Sequence, residues 1–435
     1  MSTKDGLENF FELKAHGTDV KTEVIAGFTT FMTMAYILIV NPLILKDAGM
    51  DFGAVFTATA LSAIIGTLVM ALWAKLPFAL APGMGLNAFF AYGVVLGMGY
   101  SWQMALTAIL LEGIIFLILT AFNIREAIVN SIPLSLKKAV SCGIGLFIAF
   151  IGLQSSGIVE ANPATLVTVG TLTDPKPLLA LIGILITGVM LVKGFRGALL
   201  IGIIATTLIG IPMGVTSMPD FSNGLTPPDI SPIFFQFQWD QVFTVDMAII
   251  LFTFLFVDMF DTVGTLVGVS TKADMLDENG EVPNCKKALF ADAIATTAGA
   301  CLGTSTVTTF VESAAGVSAG GRTGLTSLTV AGLFLVALFL SPLFLMVPGA
   351  ATAPALVLVG LFMMSPIKEI DLDDYSESIP AFLTLLFMPM TYSIAEGIII
   401  GMLSFIALKV FSGNSHQVSK VSYIVGALCL AKIAM

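Results

Sequence analysis

Runs of about twenty apolar residues, cut from one another by Gly, Pro or a charge, recur from one end of this chain to the other. A helix crossing the hydrocarbon layer of a bilayer needs about that many residues. Roughly fourteen such runs stand near 24–45, 53–74, 80–96, 101–121, 133–153, 177–193, 196–216, 242–269, 285–302, 306–319, 324–346, 349–365, 378–392 and 394–411. The run 421–434 is short for a crossing, and three fates stay open for it: the interface, packing on the bundle, or a fifteenth span. Only 11% of the 435 residues are charged, 57% are hydrophobic and mean hydropathy is +0.98, so charge cannot clothe a soluble particle of this size and lipid must form the shell.

The Lys and Arg residues set the orientation, because short loops rich in them stay cytoplasmic. With the N-terminus inside, all nineteen fall on the cytoplasmic side except Lys46, Lys176 and Lys432. The stretch 218–240, which holds Asp220, Asp229 and Asp240 but no basic residue, then lies outside. Residues 1–23 are polar, so the first span is expected to start insertion itself. Within that segment Leu7, Phe10 and Phe11 share a helical face, as expected of a helix lying on the cytoplasmic leaflet. The net charge of −10 comes from acids in a few loops and at isolated span positions, which argues against nucleic acid as a partner. Cys142, Cys285, Cys301 and Cys429 have no metal-ligand spacing and read as free thiols.

The runs split seven and seven near residue 225. An odd number of crossings per half makes two homologous halves run in opposite directions. A shift of 215 supports this by aligning IPLSLKKAVSCGIGLF with VPGAATAPALVLVGLF, which pairs Pro133 with Pro348 and Gly145-Leu146-Phe147 with Gly360-Leu361-Phe362. The fold class that follows is an all-α polytopic membrane protein of about fourteen transmembrane segments in two inverted repeats of seven.

Two runs are interrupted, and interrupted spans point to a transporter's binding site. In PFALAPGMGLNAFFAYG, Pro82, Gly83 and Gly85 disfavour helix just before Asn87. In GTSTVTTFVESAAGVSAGG, the run from Thr304 to Thr309 favours extended backbone until Glu312 opens a small-residue helix. Each reads as a strand followed by a half-helix. Unpaired strand is not tolerated in lipid, so the two are expected to pair, buried in protein near the midplane. A shift of 225 sets Asn87 opposite Glu312.

A third feature is LFTFLFVDMFDTVGTLVG, in which Asp258 and Asp261 stand one turn apart without a basic residue in the span. Each charge costs about 2.5 to 3.5 kcal/mol at a helix centre, so these acids are expected to face a cavity or carry a proton. Hydrogen bonding between helices is the structural alternative. Glu112, Asp292 and Glu396 read as structural, Asp292 through hydrogen bonding to the broken segment. His16 and His416 lie in cytoplasmic segments, so any proton coupling falls to carboxylates.

From end to end these stretches resemble the nucleobase-ascorbate type transporters, in particular the adenine/guanine/hypoxanthine permease branch. GFTTFMTMAYILIVNP, APGMGLNAFFAYGVVLGMG, FLFVDMFDTVGTLVGV, GTSTVTTFVESAAGVSAGGRTGLT and MPMTYSIAEGIIIG carry the resemblance, and GLNAFFA is most like the hypoxanthine/guanine group. It implies a core domain (24–121 and 242–346), a gate domain (133–216 and 349–411), flanking segments 1–23 and 412–435, and a substrate bound between the domains. It further implies proton-coupled uptake of purine nucleobases across the cell membrane, homodimers in a lipid bilayer, and no cofactor beyond the proton gradient. Carried over by motif, Asn87, Asp258 and Glu312 bind substrate, with Asp261 close by. Some hypoxanthine/guanine members keep only the second acid of VDMFD, which ranks Asp261 above Asp258.

A carboxylate can accept parallel bonds from the N1–H and 2-amino group of guanine, the role expected of Glu312. Phe310, Phe89 and Phe90 are near enough in sequence to stack on a base. Proton coupling is assigned to Asp261, Asp258 and Glu312. Among rivals, a uracil or xanthine transporter keeps the fold, whereas a small anion suits three acids poorly. A channel or membrane enzyme lacks support, with no pore-loop repeat, metal cluster or nucleophile motif.

Overall fold

The computed structural model describes residues 3–122, 134–195, 197–219, 225–272, 275–276 and 282–434. Arg125, Pro133 and Arg196, used above for orientation and repeat alignment, lie outside them, as does Asp220. The first half runs through α1 (Thr3–Phe10), α2 (Val20–Met34), α3 (Ile37–Asp47), α4 (Phe52–Val69) with a π-helical turn over Met70–Ala74, strand β1 (Leu80–Pro82), and α5 (Met84–Ala88), which continues in π geometry over Phe89–Gly97. Then come α6 (Trp102–Ala121), α7 (Leu134–Ser155), a hairpin of β2 (Val159–Asn162) and β3 (Leu166–Val169), α8 (Pro175–Val192) and α9 (Ala198–Gly210). The second half comprises α10 (Val245–Lys272), α11 (Cys285–Leu302), β4 (Val307–Thr309), α12 (Ser313–Ser318), α13 (Gly324–Leu338), α14 (Ser341–Leu345), α15 (Gly349–Met363), α16 (Tyr375–Met390), α17 (Ile394–Phe411) and α18 (Lys420–Ala434).

Local chemistry sets the ends of these helices. Asp19 and Asp51 accept the backbone N–H groups of Thr22 and Ala54, both at 2.7 Å, and so cap α2 and α4. The Thr22 bond also holds the Asp19 carboxyl below its usual range. Lys75, with φ 58, turns the chain left-handed and ends the π-helical turn after α4. Glu23 is fully buried and caps α13 from a distance, accepting from the N–H groups of Arg322 at 2.9 Å and Thr326 at 3.1 Å.

The structure differs from the sequence reading in four places. The run 24–45 is one apolar stretch but two helices: Leu38 and Ile39 bond back three residues, to Ala35 at 3.2 Å and Tyr36 at 3.0 Å. Pro42, inside α3, withholds the N–H that Leu38 would otherwise receive. The run 324–346 divides at Pro342, in the first turn of α14. The β2–β3 hairpin, with Val159 opposite Val169, was not foreseen. At the N-terminus, Phe11 and Leu13 are buried against Leu325, because the start of α13 offers apolar partners. Lys75 then clamps the segment through Glu12 at 3.2 Å and the face of Phe10 at 5.0 Å.

Eight helical stretches among the described residues are long and apolar enough to cross a membrane, and Met84–Gly97, Ala198–Gly210 and Gly324–Leu338 are shorter apolar ones. Packing gathers α2–α6 with α10–α13 and, separately, α7–α9 with α15–α17. The contacts come in repeat-related pairs: α6 meets α11 as α13 meets α4, and α8 meets α15 as α16 meets α7. Gly145 and Gly360, equivalent under the shift of 215, touch each other where α7 crosses α15. A Cβ on Gly145 would stand 2.5 Å from the Gly360 carbonyl oxygen, and one on Gly360 would collide with the Gly145 carbonyl. Such reciprocal contact between equivalent positions marks the two-fold axis of an inverted repeat. The segment 421–434 forms most of α18, which packs on α17 and α10.

Candidate functional site

The two interrupted runs meet. β1 and β4 pair antiparallel, with Leu80 opposite Thr309, Ala81 opposite Thr308 and Pro82 opposite Val307. Pro82 has no N–H, but Gly83 donates to the Thr306 carbonyl at 3.0 Å and Phe310 donates to the Ala79 carbonyl at 2.9 Å, which extends the ladder at both ends. Hydroxyls from the surrounding helices satisfy the outward backbone groups. Thr67 both receives from Leu80 N–H at 3.0 Å and donates to its carbonyl at 3.1 Å, while Thr296 donates to the Val307 carbonyl at 2.9 Å. This is the buried accounting that strand at membrane depth requires.

Glu312 stands immediately before α12, and its side chain is only partly buried. The Tyr36 hydroxyl, from the break between α2 and α3, donates to Glu312 Oε1 at 2.6 Å. One turn earlier, Thr33 Oγ1 reaches the Glu312 backbone carbonyl at 3.4 Å. Asp261 approaches from α10: its Oδ2 lies 3.7 Å from where a Cβ on Gly83 would sit, at the start of α5. The Asp261 carboxylate is also within electrostatic range of Glu312 and Asp292. Two acids of the second repeat, one on α10 and one at the start of α12, thus converge where the strands give way to half-helices, at N-terminal ends that favour negative charge.

The other expected site residues are placed differently. Asn87 is fully buried; its Oδ1 accepts from Ser305 Oγ, and its Nδ2 points to the Pro82 carbonyl at 3.4 Å. Asp258, on α10, is also fully buried. There Thr262 Oγ1 contacts Asp258 at 3.2 Å, Asp292 at 2.8 Å and the Thr308 hydroxyl of β4 at 2.6 Å. One turn of α10 therefore separates an acid that is partly open from one inside a hydroxyl network. Phe310 is 5% exposed, two residues before Glu312. Glu112 accepts from Thr306 at 2.6 Å, on the strand side. Tyr36 was missed by sequence reasoning, since an aromatic inside an apolar run carries no local signal.

The two helix groups also meet at the end of the bundle that carries Asp47. Tyr92 donates to Asp47 Oδ2 at 2.7 Å, and its ring packs edge-on against Tyr392 with centroids 5.5 Å apart. Tyr392, held at φ 56 between α16 and α17, also contacts Phe147 at 5.1 Å. At that same end a cavity of about 820 Å³ opens between Lys46, Phe52, Asp229, Pro342 and Val347. None of the expected site residues lines it.

A family model described as "Permease family" matches residues 21–400. The chain is 51% identical to a putative permease of Methanocaldococcus jannaschii, covering 97% of both. It is 45% identical to the adenine permease AdeP of Escherichia coli, covering 98% of this chain and 96% of that one. To the guanine/hypoxanthine permease PbuG of Bacillus subtilis it is 45% identical, covering 96% and 97%. Among solved structures, the transmembrane domain of a cyanobacterial bicarbonate transporter, BicA, superposes with a TM-score of 0.63 at 18% identity over 89% of this chain and 97% of that one, a likeness of fold alone. With crossed strands between inverted repeats and full-length identity to permeases, this multi-pass membrane protein is a transporter, not an enzyme, and belongs to the permease family of nucleobase-ascorbate type transporters, among its adenine and guanine/hypoxanthine relatives.

Proposed function

We propose that this permease imports purine nucleobases, hypoxanthine and guanine first, across the cell membrane in symport with protons, its N-terminus facing the cytoplasm. The observation that carries this reading is the convergence of Glu312 and Asp261 beside the crossed strands. A neutral purine presents ring N–H and amino donors, and a partly open carboxylate is the acceptor that suits them. A second carboxylate within electrostatic reach gives the site a group that can take up a proton as the first engages ligand. The naming of relatives as adenine and guanine/hypoxanthine permeases supports the same cargo.

In this reading Glu312 binds the base, with Phe310 bordering the site, and Asp261 carries the coupling proton. Asn87 and Asp258 hold the strand crossing in shape. The group α2–α6 with α10–α13 moves against α7–α9 with α15–α17, and the Tyr92–Tyr392 contact joins the two groups at the Asp47 end. The test is uptake of labelled hypoxanthine, guanine, adenine, uracil and xanthine into proteoliposomes, with and without an inward proton gradient. Gradient-stimulated uptake of purines is the expected result; uptake of uracil alone, or purine uptake indifferent to the gradient, contradicts it.

A further inference from the structure

The hydroxyl of Tyr36 ends on the acid assigned to the ligand. Its ring is 1% exposed, so packing fixes it, and the hydroxyl donates to Glu312 Oε1 at 2.6 Å. Thr33, whose hydroxyl donates to the Thr30 carbonyl at 2.7 Å, packs its Oγ1 3.4 Å from the Glu312 backbone carbonyl. The carboxylate is thus oriented from the α2–α3 break. A phenol has one proton, and spending it on Oε1 leaves that oxygen a weaker acceptor for anything else.

We propose that Tyr36 is a specificity-determining positioning residue: by occupying Glu312 Oε1 it leaves one strong acceptor, so the site reads a single donor on the purine edge. This rests on the purine reading above. A hypoxanthine edge offers N1–H alone and needs only the other oxygen. A guanine edge adds the 2-amino group, whose bond has to share Oε1 with the Tyr36 hydroxyl. In the wild-type protein the second donor therefore adds little to affinity, and Tyr36 is what keeps the two bases nearly equal.

The test is competition by unlabelled guanine and hypoxanthine against labelled hypoxanthine uptake, in the wild type and in Tyr36→Phe, which keeps the ring and removes only the hydroxyl. The expected wild-type preference for guanine over hypoxanthine is below about threefold, rising about tenfold or more in Tyr36→Phe, the range of a hydrogen bond to a charged group. The change should appear in KM or Ki ratios, while loss of structure alone would lower the amount of active protein and leave ratios unmoved. Either a wild-type preference for guanine above about tenfold, or an unchanged ratio in Tyr36→Phe, overturns the proposal. The wild-type arm stands even if the variant fails to reach the membrane. If both purines are carried and Glu312→Gln abolishes both while the ratios ignore Tyr36, only this inference falls. If neither purine is carried, the purine reading falls and takes the inference with it.

Discussion

The two broken segments have the same architecture and opposite chemistry. Each runs from a three-residue strand into a half-helix, and each borrows backbone partners from the other. Yet the polar residue near the start of the first, Asn87, is fully buried against Ser305 and Pro82, whereas Glu312 of the second is partly open and oriented by Tyr36. The first segment obtains its nearby carboxylate from α10 as Asp261. Two-fold symmetry builds the crossing, but the halves do not share the work done there. In the proposed reading, one segment holds the strands together and the other presents an acid.

That contrast is easiest to break at its acidic end. Glu312→Gln should lower purine uptake by about 10- to 100-fold at equal membrane expression, since one bond to a charged acceptor is worth about 1.5–3 kcal/mol; uptake scaled to the amount of folded protein is the check. Next in size, Asp261→Asn should reduce accumulation driven by a gradient of about one pH unit by about tenfold, the free energy of one proton moved down that gradient being about 1.4 kcal/mol, while base-for-base exchange continues. Comparing accumulation with counterflow in the same vesicles separates the two. Asn87→Ala should act on stability, costing about 1–3 kcal/mol by leaving Ser305 without its acceptor. It should lower the melting temperature of the purified protein and shift the KM for hypoxanthine less than about threefold, a shift under about 0.7 kcal/mol. Equal KM effects from Asn87→Ala and Glu312→Gln would erase the distinction.

The strand crossing was legible because it obeys a rule with few escapes. Pro82, Gly83 and the β-branched run to Thr309 cannot continue a helix, and extended backbone at membrane depth needs a partner. The repeat was legible at Gly145 and Gly360, where close packing permits no side chain. What escaped were relations without a local signal. Ala35 and Tyr36 include no breaker, so the α2–α3 break depends on Pro42 further along and on contacts across the fold. Asn87 reads like a ligand-facing amide until Ser305, 218 residues away, takes its oxygen. The same spacing that puts Asp258 and Asp261 near one face of α10 cannot say that the first is fully buried in a hydroxyl network and the second only partly buried. Glu23 is only the last residue of the polar segment 1–23 in the sequence, yet it caps α13 some 300 residues later.

Equilibrium binding of labelled hypoxanthine to purified protein tests the central claim most directly, because it separates the ligand's seat from every later step of transport. Wild type and Asn87→Ala should bind with similar affinity per folded molecule, and Glu312→Gln should bind none at concentrations that saturate the wild type. Retained binding in Glu312→Gln, with loss in a folded Asn87→Ala, would put the seat on the other broken segment and contradict the account.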